Sequence, residues 1–156
     1  MTSTARLDPQ PAAARDGRPT AVVSSMASDA HTWNLIFLQL LVEELGFEVT
    51  NLGPCVPDLL LVEQCRIRRP ALVVLSSVNG HGYQDGLRVI GQLRGAAGLA
   101  GTPIVLGGKL GVSGEHRAER VAELRDAGFD AVYDDRPDAI ESFRRFVAAR
   151  VAVGRP

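Results

Sequence analysis

Asp29 and His31 lie two residues apart in the stretch Ser28-Asp29-Ala30-His31-Thr32-Trp33-Asn34, where an apolar run gives way to a segment of helical length. Glycine or serine commonly fills such a junction, so an imidazole with an acidic neighbour calls for a chemical reason. The plain alternative is that Asp29 caps the following helix and His31 is an exposed loop residue. Two other polar or glycine-rich stretches each have a plain reading as well. Ser76 and Ser77 can satisfy backbone groups at the end of a strand, and Gly107 and Gly108 can serve a turn that needs positive φ. His81 and His116, taken with Cys55 and Cys65, have no zinc-ligand spacing. The two cysteines are too few for a disulfide framework and too far apart for a CxxC pair. Each is expected to be reduced and partly buried. Lys109, the only lysine, follows the glycine pair and is expected on the solvated surface.

The elements that must position these residues alternate regularly. Residues 20–26, TAVVSSM, form a β-branched run suited to a buried strand. Residues 33–45 have helical length and apolar weight, with Gly46 as the stop. The stretch 47–53 alternates like a strand, and Pro57 and Asp58 open a helix that Pro70 closes. ALVVLSS, residues 71–77, is apolar almost throughout, as a central parallel strand covered on both faces should be. A helix over 84–95, a strand over 102–108, a helix over 114–128, a short strand over 130–133 and a closing helix over 137–152 complete the pattern. Five βα units in succession predict a flavodoxin-like (Rossmann-like) α/β fold, a doubly wound five-stranded parallel sheet of order 2-1-3-4-5.

Composition narrows the partners. The 156 residues are 46% apolar and 22% charged, which fits one domain with its own core. Residues 1–19 mix Pro, Ala, Arg and Asp without a hydrophobic period and read as a flexible leader; residues 20–152 form the domain. A net charge of −1 gives no reason to expect nucleic acid. No apolar stretch is long enough to cross a bilayer, and the N-terminus lacks the apolar core of a secretory signal, so a cytoplasmic location is the default.

In open α/β sheets a ligand lies beyond the carboxyl ends of the strands, near the point where strand order reverses. The loops after strands 1, 3 and 4 occupy that edge, and they contain SDAHTWN, SSVNGHG and LGGKLGVSGEH. Separate accidents need not all fall on one edge. GHG, residues 80–82, is expected as a flexible lip there.

On these residues the chain resembles the cobalamin-binding domains, and among them the small subunits of glutamate mutase. The family pattern is D-x-H-x-x-G after strand 1, S-x-L after strand 3 and G-G after strand 4. Here those positions read Asp29-Ala30-His31-Thr32-Trp33-Asn34, Ser76-Ser77-Val78 and Gly107-Gly108. The likeness extends over residues 20–148, including GFEVTNLG and AGFDAVY. It departs at Asn34, which puts a side chain at the motif glycine, at Val78 in place of leucine, and in the charged run after Tyr133, where Asp134, Asp135 and Arg136 replace a small turn.

The resemblance implies a chemistry for each position. His31 would replace the cofactor's own dimethylbenzimidazole as lower ligand to cobalt, a base-off, His-on mode for which a mostly neutral imidazole is suited. Asp29 would hold the other ring nitrogen. The displaced tail would enter a slot where Ser76 offers a polar contact and Gly107 and Gly108 allow close approach. Ala30, Thr32, Asn34, Ser77, Val78, Gly80 and Tyr133 complete the expected cofactor contacts, and no catalytic residue is expected. The implied activity is that of an adenosylcobalamin-dependent radical mutase interconverting L-glutamate and 3-methylaspartate. The chain would be inactive without a large barrel subunit, with which it would form a heterotetramer. The alternative is a stand-alone corrinoid carrier or sensor. A phosphoacceptor receiver shares the fold but needs an aspartate at the end of strand 3, where Ser76 and Ser77 stand.

Overall fold

The computed structural model describes residues 17–108, 116–134 and 136–153. Most of the expected leader, with Lys109, residues 110–115 and Asp135, lies outside the described residues. Five strands and five helices alternate: β1 Thr20–Ser25, α1 Trp33–Glu44, β2 Glu48–Asn51, α2 Asp58–Arg68, β3 Leu72–Ser77, α3 Gly82–Gly95, β4 Ile104–Gly108, α4 Arg117–Ala127, β5 Ala131–Tyr133 and α5 Ala139–Val153. All pairings are parallel, in the order β2-β1-β3-β4-β5.

The two-residue alternation of each strand sorts the core into two halves. Val22, Val73, Leu75, Ile104 and Leu106 pack with Leu61, Cys65, Val89, Leu93 and Leu124, residues of α2, α3 and α4. Ala21, Val23, Leu72, Val74 and Val105 pack on the opposite face with Leu35, Leu41, Val42, Phe143 and Val147 of α1 and α5. β3 is buried along its whole length, as expected of a central strand with helices on both sides.

Helix ends follow local chemistry. Gly46 takes φ +97 after α1, a conformation that costs glycine little. Pro70 prevents α2 from continuing, and Arg69 ends it in the left-handed region at φ 45. The expected lip at GHG is not one. Gly82 is the buried first residue of α3, and the His81 amide donates to Asn79 Oδ1 at 3.0 Å, so the Asn79 side chain orders the turn into the helix. The expectation of two partly buried cysteines holds only for Cys65, whose thiol is pushed up to about 12 by burial. Cys55 is exposed, at φ 51 in the loop after β2.

At the amino ends of the strands, Arg94 joins two turns. Its Nη1 donates to the carbonyls of Leu99 and Thr102 at 3.0 and 2.8 Å, and Nη2 donates to Gly128 O and Asp130 Oδ2, each at 2.7 Å. Asp130 Oδ2 also accepts from the Ile104 amide at 2.8 Å, which fixes the start of β4. No helix among the described residues is long and apolar enough to cross a membrane.

Candidate functional site

At the opposite edge, Asp29 ties the loop after β1 to the loop after β3. It is fully buried. Its Oδ1 accepts from the His31 amide at 3.0 Å and meets His31 Nδ1 at 2.7 Å, and its Oδ2 accepts from the Val78 amide at 2.6 Å. Burial raises the Asp29 pKa, but the Val78 and His31 amides and the His31 ring outweigh it and leave the carboxyl below its usual range. An ionised carboxylate only accepts, so His31 Nδ1 carries a proton, and the neutral tautomer this contact selects has its lone pair on Nε2. Asp29 does not cap α1, whose first turn starts from Thr32 with no side-chain cap.

The backbone of this mount is held as firmly. The Asp29 carbonyl accepts from Ser25 Oγ at 3.0 Å and from the Cys55 amide at 2.8 Å. Ser28 Oγ donates to Asp85 Oδ2 at 2.5 Å, and Asn79 Nδ2 donates to the Ser28 carbonyl at 2.9 Å. Arg88 bridges Asp85 and Asp58 at 2.9 and 2.6 Å, which carries the brace to α3 and α2. The His31 side chain itself is 59% exposed. It therefore stands outward on a rigid base.

Beside it lies an apolar crevice of about 280 Å³ between the sheet edge and helices α1 and α5. Phe37, Leu38 and Leu41 of α1 form one wall, and Ala139, Ile140 and Phe143 of α5 form the other. Val74, Ser76, Val105, Gly107 and Gly108 line the floor, with Val78, Tyr133, Asp134 and Arg136 around the rim. Tyr133 meets Phe143 edge to face at 5.8 Å. At the rim, Asp134 Oδ2 lies 3.0 Å from Arg136 Nε and 3.5 Å from Arg117 Nη1, so Asp134 pairs with Arg136 and with Arg117 of α4.

The two glycines on the floor serve different ends. A Cβ on Gly108, at φ +108, would fall 2.0 Å from the Ser77 carbonyl oxygen, and one on Gly107 would come within 3.7 Å of the Tyr133 carbonyl. Gly108 is therefore required by close strand approach and backbone conformation together.

The expected site residues divide. Asp29 and His31 form the mount; Asn34, Ser76, Val78, Gly107, Gly108 and Tyr133 line the crevice. Ala30 and Thr32 are exposed beside His31. Ser77 lies on the other face of β3 from Ser76, because successive side chains alternate, and its hydroxyl donates to Asn79 Oδ1 at 3.2 Å. Gly80 serves the turn into α3, at φ +88. Asn34 needs no left-handed backbone, since it is the second residue of α1. The α1 and α5 wall residues carried no sequence signal of their own, because apolar residues lining a crevice have the same helical period as core residues.

The chain is similar to known proteins over most of its length. The B12 binding domain family matches residues 19–144. The chain belongs to the B12-binding family. Within the family it groups with glutamate mutase sigma subunits: sigma subunit 1 of Haloarcula marismortui is 34% identical over 128 residues, 80% of this chain and 83% of that protein. The sigma subunit of Clostridium cochlearium is 30% identical over 118 residues, covering 74% and 84%. Fold neighbours include a cobalamin-binding protein from Desulfitobacterium hafniense, with TM-score 0.61 and 22% identity over 83% of this chain and 59% of that one. A chemotaxis response regulator of Vibrio cholerae has TM-score 0.59 at 12% identity, covering 83% of this chain and 98% of that one. These two likenesses define the fold alone. A flat aromatic group fits the B12-binding chain's crevice: its walls are apolar, its floor has no side chain at Gly107, and the buried Asn34 Oδ1 has no hydrogen-bond partner.

Proposed function

We propose that this B12-binding chain works as the cofactor-holding sigma subunit of a glutamate mutase, binding adenosylcobalamin with its own base displaced and His31 in its place. The observation that carries the reading is the 2.7 Å contact of His31 Nδ1 with a fully buried Asp29 at the mouth of an apolar crevice. Adenosylcobalamin, when bound, supplies a cobalt–carbon bond that breaks homolytically. His31 offers Nε2 to cobalt. Asp29 fixes the ring's tautomer and direction, as carboxylates behind metal-bound histidines do. The crevice takes the displaced nucleotide base against Ser76, and Gly107 and Gly108 leave room for it. The apolar walls of α1 and α5 exclude water from the faces of that base, which rewards their burial.

Substrate chemistry belongs to a catalytic partner subunit, with a barrel architecture, that closes over the exposed side of His31 and acts on glutamate and 3-methylaspartate. The domain spans residues 20–152, and a cytoplasmic location suits a cofactor-dependent mutase of this kind.

The test is electron paramagnetic resonance of cob(II)alamin mixed with the purified chain. The expected result is nitrogen coupling from a protein imidazole, lost in His31→Gly. A free-cobalamin spectrum at high protein concentration overturns the reading. Adding the catalytic subunit of a glutamate mutase and adenosylcobalamin then yields methylaspartate from glutamate; cobalamin binding without that turnover favours the stand-alone carrier.

A further inference from the structure

The crevice contains one polar pair inside its apolar walls. Asn34 Nδ2 donates to Ser76 Oγ at 2.5 Å, joining the first turn of α1 to the end of β3. Two hydrogen-bonding capacities remain uncommitted. The Ser76 oxygen already accepts from Asn34, and among the described residues its hydroxyl proton has no acceptor. Asn34 Oδ1 is buried without a partner. Ser76 is 2% exposed, so water does not freely satisfy it.

We propose that Asn34 is a specificity-determining residue for the base of the bound cobamide's tail, selecting a heteroaromatic ring with a free ring nitrogen over a phenolic ring. This rests on the reading of the crevice as the tail site. A serine hydroxyl rotates to suit its surroundings. Asn34 holds its oxygen from the helix side, and the proton is thereby left for the slot. A benzimidazole or purine presents an in-plane lone pair to that proton. A phenolic ring joined to the tail through its oxygen has no ring nitrogen to present there, and a buried donor without an acceptor is the costly case. Turning the Asn34 amide over gives the hydroxyl Oδ1 to donate to and aims Nδ2 at the slot, so the pair presents a donor in either orientation. Glycine, which the family motif has at this position, supplies no such brace. Asn34 also sits in ordinary helical backbone, so no turn demands it.

The experiment compares dissociation constants for three probes: cobalamin, a p-cresolyl cobamide and cobinamide, which has no nucleotide tail. They are measured on the full chain as wild type, Asn34→Gly and Asn34→Asp. Asn34→Gly is expected to weaken cobalamin about fivefold, the worth of one net hydrogen bond, to leave cobinamide unchanged and to erase the preference over the cresolyl form. Asn34→Asp keeps the size but only accepts at neutral pH, so it takes the hydroxyl proton and loses the same preference.

Equal weakening of all three probes makes Asn34 merely structural and overturns the proposal. Tighter cobalamin binding in Asn34→Gly also overturns it, because the side chain then obstructs the slot. Nitrogen coupling from His31 in the wild type with no discrimination among bases sinks this inference alone. Absence of that coupling sinks the functional reading beneath it.

Discussion

The mount and the slot are neighbours built by opposite means. Around Asp29 and His31 the chain adds contacts: three hydrogen bonds converge on one buried carboxylate, and two more on its backbone carbonyl. In the crevice the chain removes atoms, with Gly107 leaving the floor without a side chain, Gly108 letting its backbone lie close against Ser77, and side-chain walls supplied by helices. A histidine that is to serve as a metal ligand, as proposed for His31, must be held in one direction, and an over-determined support suits that role. A flat apolar group must be admitted, so its site is defined by what is missing. Substitution should therefore act differently in the two places. Truncating the mount leaves unpaired partners, whereas enlarging the slot's floor has nowhere to put the new atoms.

The largest expected effect is on the slot. Gly108→Ala sets a methyl against the Ser77 carbonyl at a φ that L residues rarely adopt, costing about 3 kcal/mol from backbone strain and overpacking together. Urea unfolding measures it, and an unchanged midpoint would show that the floor yields easily and that the contrast between the two regions is false. Next comes the mount. Asp29→Ala strands the Val78 amide and frees the His31 ring, costing about 2 kcal/mol of stability and about 10–100-fold in cobalt coordination. Cobalamin that still binds through its tail, with weakened imidazole coupling in its spectrum, separates the two regions cleanly; equal loss of tail and cobalt contacts would join them. The smallest effect is the pH dependence of that carboxylate. Asp29 is held below its ordinary value of 3.8 in the folded chain, so the unfolded state takes up its proton first as pH falls. Its contribution to stability is full above about pH 4 and is lost as pH falls through the folded value. Unfolding curves of wild type and Asp29→Asn should converge in that acid range, and a constant gap down to pH 2 would mean that Asp29's charge does not hold the mount.

The legible parts were those whose physics is local. Asp29 and His31 stand two apart, a spacing that permits a ring to fold back onto a carboxylate, and the family resemblance turned that possibility into an expectation. The continuous apolar run of β3 foretold a central strand, and the alternation of βα units foretold the sheet order. Ser77 was expected among the cofactor contacts together with Ser76, although strand alternation sends only Ser76 to the crevice. That division could have been taken from the two-residue period. Phe37, Leu41, Ile140 and Phe143 could not, because a helix facing a ligand and a helix facing a core carry the same stripe. The exposure of Cys55 was equally silent. Cys55 lies in the loop after β2, where it and Gly53 both take positive φ, and no periodicity governs such a place.

Arg94 lies at the other end of the molecule, where it and Asp130 fasten the turns before β4 and β5. None of its bonds reaches the edge that carries His31 or the crevice. A second fastening, separate from the braces around Asp29, thus lies at the far ends of the same strands. The chain can trade residues on its working rim, as it does at Asn34 and in the charged run after Tyr133, while this far fastening stays intact. Such a layout makes one architecture a durable starting material for many selectivities.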